Sequence, residues 1–94
     1  MSQLISVTEF CQHYQITPEF IALLEDNGII VLQSQGIQKF IEEEQLSDLE
    51  RYRILYFDLQ INIEGIDVIR NLLEKQSELM HEINQLRSSL RFHE

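Results

Sequence analysis

From Ile69 to Leu90 the sequence repeats on a seven-residue period. Ile69, Leu72, Gln76, Leu79, Ile83, Leu86 and Leu90 follow one another at alternating steps of three and four. On an α-helix this spacing keeps one stripe on one side of the rod, the a and d seam of a coiled coil. Gln76 is the polar member, at an a position, where such a residue sets register and strand number. A helix from Ile63 to Arg91 would rise roughly 43 Å at 1.5 Å per residue. In a chain of 94 residues that is too long to pack wholly on the small domain left over. The pattern therefore divides the chain into a domain over residues 1–61 and a long, coiled-coil-like helix over 62–94, with Asn62 as its cap. The far half of that helix needs a partner or must fold back. Glu82 and Arg87 fall at g and the following e, which suits a parallel pair. Leu73 and Met80, at e, widen the seam and leave a bundle open. A homodimer joined through this helix is the expectation.

The remaining residues follow local helix grammar. In "SVTE", residues 6–9, Ser6 and Glu9 form a capping box. Val7, Phe10, Cys11 and Tyr14 then share one helical face,. Thr17 is a good cap and Pro18 a favoured first helical residue. Phe20, Ile21, Leu23 and Leu24 give a second apolar stripe, and Gly28 ends it. This predicts helices over about residues 7–13 and 18–27, joined by a short turn. Residues 29–41 read as a two-stranded wing. Ile29–Leu32 forms one strand, "QSQG" the loop, and Ile37–Ile41 the other. "LIS" before the first helix is a candidate third strand. Ser47 and Glu50 make a second capping box, opening a helix over about 47–59. Its second half, "ILYFDL", is apolar nearly all round and reads as buried on more than one side. The fold class is mainly α: a winged helix-turn-helix with a small hairpin wing and a long C-terminal heptad helix.

Charge decides what such a fold can touch. The formal net charge is −9, and it is uneven. Residues 1–50 hold Glu9, Glu19, Glu25, Asp26, Glu42, Glu43, Glu44, Asp48 and Glu50 against Lys39 alone, whereas residues 51–94 nearly balance. Specific DNA binders place many donors, mostly cationic, on phosphates. Here the second helix of the helix-turn-helix has no Lys or Arg. With a Debye length of about 8 Å in physiological salt, its acids would face an arriving phosphate unscreened. DNA binding and anionic membranes are disfavoured, and a basic protein partner is favoured.

Other chemistry is thin. Cys11 is the single cysteine, so an intrachain disulfide is excluded,. Cys11 and His13 lie about 200° apart on a helix and cannot meet one ion. Cys11 belongs with Val7 and Phe10 in the core. No nucleophile elbow, phosphate loop or acid-base pair is present, so neither an enzyme nor a cofactor is expected. No apolar run approaches the 18 or so residues of a membrane span, and no charged segment leads into an apolar one. The expected location is the cytoplasm. Two groups remain as candidate contacts. Glu42, Glu43 and Glu44, with Asp48 a turn later, are either a solvated acidic lead into a helix or an electrostatic landing site for a basic helix. Converging metal ligands are a weak third reading, since adjacent glutamates point different ways. Tyr52 and Tyr56, with Ile54, Leu55, Phe57 and Leu59, are either core or the rim of a groove that seats a partner helix.

The succession of helix, turn, helix, wing, helix and heptad helix resembles the MerR family, and within it the chaperone-modulator (CbpM) family. The residues that carry this are "ISVTEFCQHYQITPEFIALLEDNGII", then "KFIEEEQLSDLERYRILYFDLQINIEGIDVIRNLLE", then the terminal helix. "TEFC", "NGII", the Phe40 that precedes acids, and the L-x-I-x-x-x-G-I pattern from Leu59 to Ile66 match best. The resemblance implies a partner, the J-domain of a DnaJ-like (CbpA-type) cochaperone, whose basic helix docks on an Hsp70 chaperone. It implies inhibition of that cochaperone by competition. The alternative is a MerR-like DNA-binding transcriptional regulator, but the cations that MerR regulators carry near the end of helix two and in the wing are replaced here by "LLEDNGIIVLQSQGIQKF".

Overall fold

The computed structural model describes residues 3–93. Within them the order is β1 (Leu4–Ser6), α1 (Val7–Tyr14), α2 (Pro18–Asp26), β2 (Gln33–Gln35), β3 (Gln38–Glu42), α3 (Leu46–Arg53) and α4 (Ile63–His93). The caps read from the sequence begin three of the helices. Ser6 Oγ accepts from the Glu9 N–H at 3.1 Å, and Thr17 Oγ1 accepts from the Phe20 N–H at 3.3 Å. Asn62 Oδ1 accepts from the Gly65 N–H at 2.8 Å and opens α4. Such bonds satisfy donors that the first helical turn leaves without partners. Only half of the first capping box forms: among the described residues, the Glu9 carboxylate makes no return bond. The turn between α1 and α2 is closed at Gln15, whose φ of 56° takes the chain through the left-handed region.

The "LIS" strand is present, and it pairs antiparallel with β3, giving the sheet order β1-β3-β2. The wing differs from the expected one in register. Ile29–Leu32 is not a strand; β2 is Gln33–Gln35, inside the segment read as a loop. The hairpin turn is the two residues Gly36 and Ile37, closed by Gln35 opposite Gln38. Gly36 has a φ of +67°, and a glycine with positive φ at the first central position is the mark of a two-residue hairpin turn of type II′,. Ile29 and Ile30 instead drop together into the core at 6% and 5% exposure, which no alternating strand permits,. Gln45 holds the segment after them. Its side-chain amide donates to the Val31 carbonyl at 2.8 Å and accepts from the Val31 N–H at 3.3 Å, as a neighbouring strand would.

The second capping box does not form. Residues Glu43–Gln45 make a single 3-10 turn that runs directly into α3, so Ser47 is already helical and no side chain caps the start. The α-helix also stops earlier than expected. Ile54–Asp58 widens into a π turn, with the Leu59 N–H reaching the Ile54 carbonyl at 3.0 Å. The extra residue rotates the side chains that follow. Leu55 and Tyr56 stay half-buried, while Ile54, Phe57 and Leu59 reach solvent, which corrects the all-round burial read from "ILYFDL". Gln60, in the left-handed region at φ 55°, then turns the chain into α4. Gly65 is needed at that junction, because a Cβ there would stand 2.7 Å from Ile61 Cγ2 and 3.1 Å from the capping Asn62 Oδ1.

The core draws on every layer. Phe10 and Cys11 come from α1, Phe20, Ile21 and Leu24 from α2, and Ile41 from β3; Leu49 and Tyr52 come from α3 and Ile66 from α4. Beyond Leu73 every residue of α4 whose burial is described is exposed, and the helix projects, giving extents of 56 × 33 × 21 Å. Among the described residues no helix is long and apolar enough to cross a membrane.

Candidate functional site

Helix α2 buries Phe20, Ile21 and Leu24 and turns Pro18, Glu19, Ala22, Glu25 and Asp26 outward. This is the face that a helix-turn-helix offers to a target, and it carries three carboxylates and no cation. The wing brings one positive charge toward it. Lys39, opposite Ser34 in the hairpin, reaches over to Glu25, and its Nζ lies 2.6 Å from Glu25 Oε1. The Glu25 side chain is 25% exposed and the Lys39 side chain 49%. The pair spans an open groove of about 780 Å³ between α2, α1, β1 and the wing, whose apolar lining includes Leu4, Val7, Ala22, Leu32 and Phe40. Glu9 stands on its α1 wall. Ile37, at the wing tip, is fully exposed. Thus the cation that the sequence supplies to residues 1–50 is already neutralised within the fold. Glu25 and Lys39 are 14 positions apart on different elements, so no local spacing announces the pair.

The acidic run is split by the structure. Glu42 ends β3 and accepts a hydrogen bond from Gln33 Nε2 across the hairpin. Glu43 and Glu44 lie on the 3-10 turn and are exposed. Asp48 faces Arg51 one turn on, 3.7 Å away, with both side chains about half exposed. Glu43 and Glu44 therefore form the outward part of the ridge, and the other two acids have neighbours of their own. Tyr52 is in the core at 4% exposure, because Leu49 and Tyr52, three apart, share the inner face of α3. Burial, and next the charge of Asp48, push its hydroxyl pKa up,. Its ring is not presented to a partner. Tyr56 is half-buried, its ring 5.0 Å from those of Phe20 and Phe57. Exposed Phe57, Ile54 and Leu59 continue the apolar surface there.

The heptad positions lie on the projecting helix. Ile69 is half-buried, and Gln76 is exposed. Leu72, Leu79, Ile83, Leu86 and Leu90 are 63%, 48%, 40%, 65% and 67% exposed. Large aliphatic residues at coiled-coil spacing, left in solvent over this length, form a continuous unsatisfied stripe. Arg70, near the root, is held by Asp67 at 3.0 Å and Glu74 at 3.3 Å, which raises its already high pKa.

Cys11 is buried, and burial followed by the charge of Glu19 pushes its thiol pKa up, away from the reactive thiolate,. Among the described residues no group of three or more His, Cys, Asp or Glu could hold a metal ion.

Comparison with curated proteins and with solved structures gives no match. A family model described as MerR HTH family regulatory protein matches residues 5–88, which takes in most of β1, both helices of the helix-turn-helix, the wing, α3 and most of α4. With nearly the whole chain matched and the winged helix-turn-helix and long terminal helix in place, this protein belongs to the MerR helix-turn-helix family of regulatory proteins.

Proposed function

We propose that this member of the family is a non-enzymatic, cytoplasmic modulator that acts on protein rather than on DNA. It binds the J-domain of a DnaJ-like, CbpA-type cochaperone and blocks that domain's basic helix from its chaperone. The observation that carries the reading is the Lys39–Glu25 ion pair at 2.6 Å. With Lys39 engaged, the helix-turn-helix and wing present carboxylates and no free side-chain cation among the described residues. Useful affinity to duplex needs several side-chain cations that displace the DNA's condensed counterions, and this face has no free one to offer. A basic helix meets the opposite situation. The exposed acids Glu43 and Glu44 before α3, and Glu19 and Asp26 on α2, attract it and speed encounter,. Two copies joined through the stripe on α4 would double the number of such faces.

The test is direct association of the full chain with the isolated J-domain of a DnaJ-like cochaperone from the same organism, followed by calorimetry at rising salt. Binding that weakens with salt is expected. Absence of binding at low salt by folded protein ends the proposal. A gel shift on genomic fragments at low salt tests the regulator alternative, and retention of a specific fragment would favour it.

A further inference from the structure

The groove between α2 and the wing has apolar floor residues and acidic walls, yet its most buried acid is already occupied. Glu25 is three-quarters covered and holds Lys39 at 2.6 Å, between two elements rather than along one. Lys39 comes from a five-residue strand whose neighbouring turn carries an exposed Ile37. A lysine whose ammonium sits on the covered acid of an acidic, partly apolar groove occupies the place that a basic ligand's side chain would take. We infer that Lys39 is an internal stand-in for a partner's cation. The groove is the docking site for a basic amphipathic helix, which places one of its own Lys or Arg side chains on Glu25 and displaces Lys39. This rests on the partner reading above and gives it a place. Charge complementarity argues for this occupant: Glu9 and Glu25 line the groove, Lys39 is the cation to be exchanged, and α2 carries the further exposed acids Glu19 and Asp26 and no cation.

The sign of one substitution separates this from every reading in which Lys39 contacts the target itself. If Lys39 competes, removing it strengthens binding; if Lys39 binds, removing it weakens binding. The experiment is calorimetry of the full chain at low ionic strength with two probes: the isolated J-domain, and a synthetic amphipathic helix of Lys and Leu. Lys39→Met is expected to tighten both roughly two- to five-fold, and Glu25→Gln to weaken both by a similar factor, the range of a partly exposed ion pair. Ala22→Trp, on the exposed face of α2, should weaken both at least about tenfold by filling the groove, as loss of a central packed contact does. Thermal melts of each variant check that the fold is intact. Equal or weaker binding by a folded Lys39→Met overturns the inference, as does wild-type affinity in Glu25→Gln. If the J-domain fails to bind while the synthetic helix shows the expected order, the named partner falls and the groove assignment stands.

Discussion

Two parts of this chain are written in the same apolar alphabet and end in opposite environments. In residues 4–66, Leu24, Ile41, Leu49 and Ile66 are each 0% exposed. In α4 beyond Leu73, Leu79, Ile83, Leu86 and Leu90 stand 40% exposed or more. Both sets have helical or strand periodicity. The difference is that the first set comes from elements that meet around one point, while the second lies on a rod that leaves them behind. Apolar spacing specifies which side of an element wants cover. Whether the chain itself supplies that cover depends on geometry further away.

The sharpest way to break this contrast is to damage each part and see whether the other notices. Leu49→Ala removes a fully buried side chain and should cost about 2–5 kcal/mol in chemical denaturation. For a domain this small, that is a large share of its stability. If two copies pair through α4 as proposed, Ile83→Asp should leave the folded core unchanged by circular dichroism yet reduce the mass in light scattering to that of one chain, since it places a charge in the seam. Unchanged mass above that of a single chain would show that the stripe is not what joins the copies. At the junction between the parts, Gly65→Ala brings a Cβ to 2.7 Å from Ile61 and should lower stability by about 1–3 kcal/mol, as overpacking does. Gln45→Ala removes two bonds to Val31 and should cost about 1 kcal/mol, loosening the wing root without touching α4.

The smallest effect concerns pH. Cys11 and Tyr52 both have folded-state pKa values raised mainly by burial, above ordinary values of 9.0 and 10.0. A raised pKa means the folded state holds its proton more tightly. The associated stability is fully present below the ordinary value and is lost as pH rises through the folded one. Denaturation midpoints should therefore fall as pH climbs above about 9, the ordinary range where these groups begin to ionise when unfolded. The slope should flatten in Cys11→Ala and again in Tyr52→Phe. A midpoint that rises over this range would contradict the assignment.

Much of the architecture was legible before any coordinates. Ser6, Thr17 and Asn62 cap helices as read, because capping is a short-range contest between one side chain and the next turn of backbone. The long helix α4 was legible too, from apolar spacing held over many turns,. The wing was misplaced because Ile29 and Ile30 look like a strand, whereas the core takes both at once and leaves polar Gln33–Gln35 to pair with β3. Ser47 lost its cap to a 3-10 turn that Glu43–Gln45 begins earlier. The π turn at Ile54–Asp58 shifts the facing of its residues by one position, so an apolar run read as buried became partly a surface. Of the candidate contacts, the outward acids of the ridge were visible in the sequence, but the burial of Tyr52 and the groove bridged by Glu25 and Lys39 were not.

The sequence alone determined the caps at Ser6, Thr17 and Asn62, the long terminal helix and the sign of the surface, since each depends on residue type and on neighbours within a turn or two. Tertiary structure decided where the sheet registers, which aromatic rings remain in solvent and where the one early cation goes. Those outcomes depend on competition among distant segments for the same buried volume and the same partner charge.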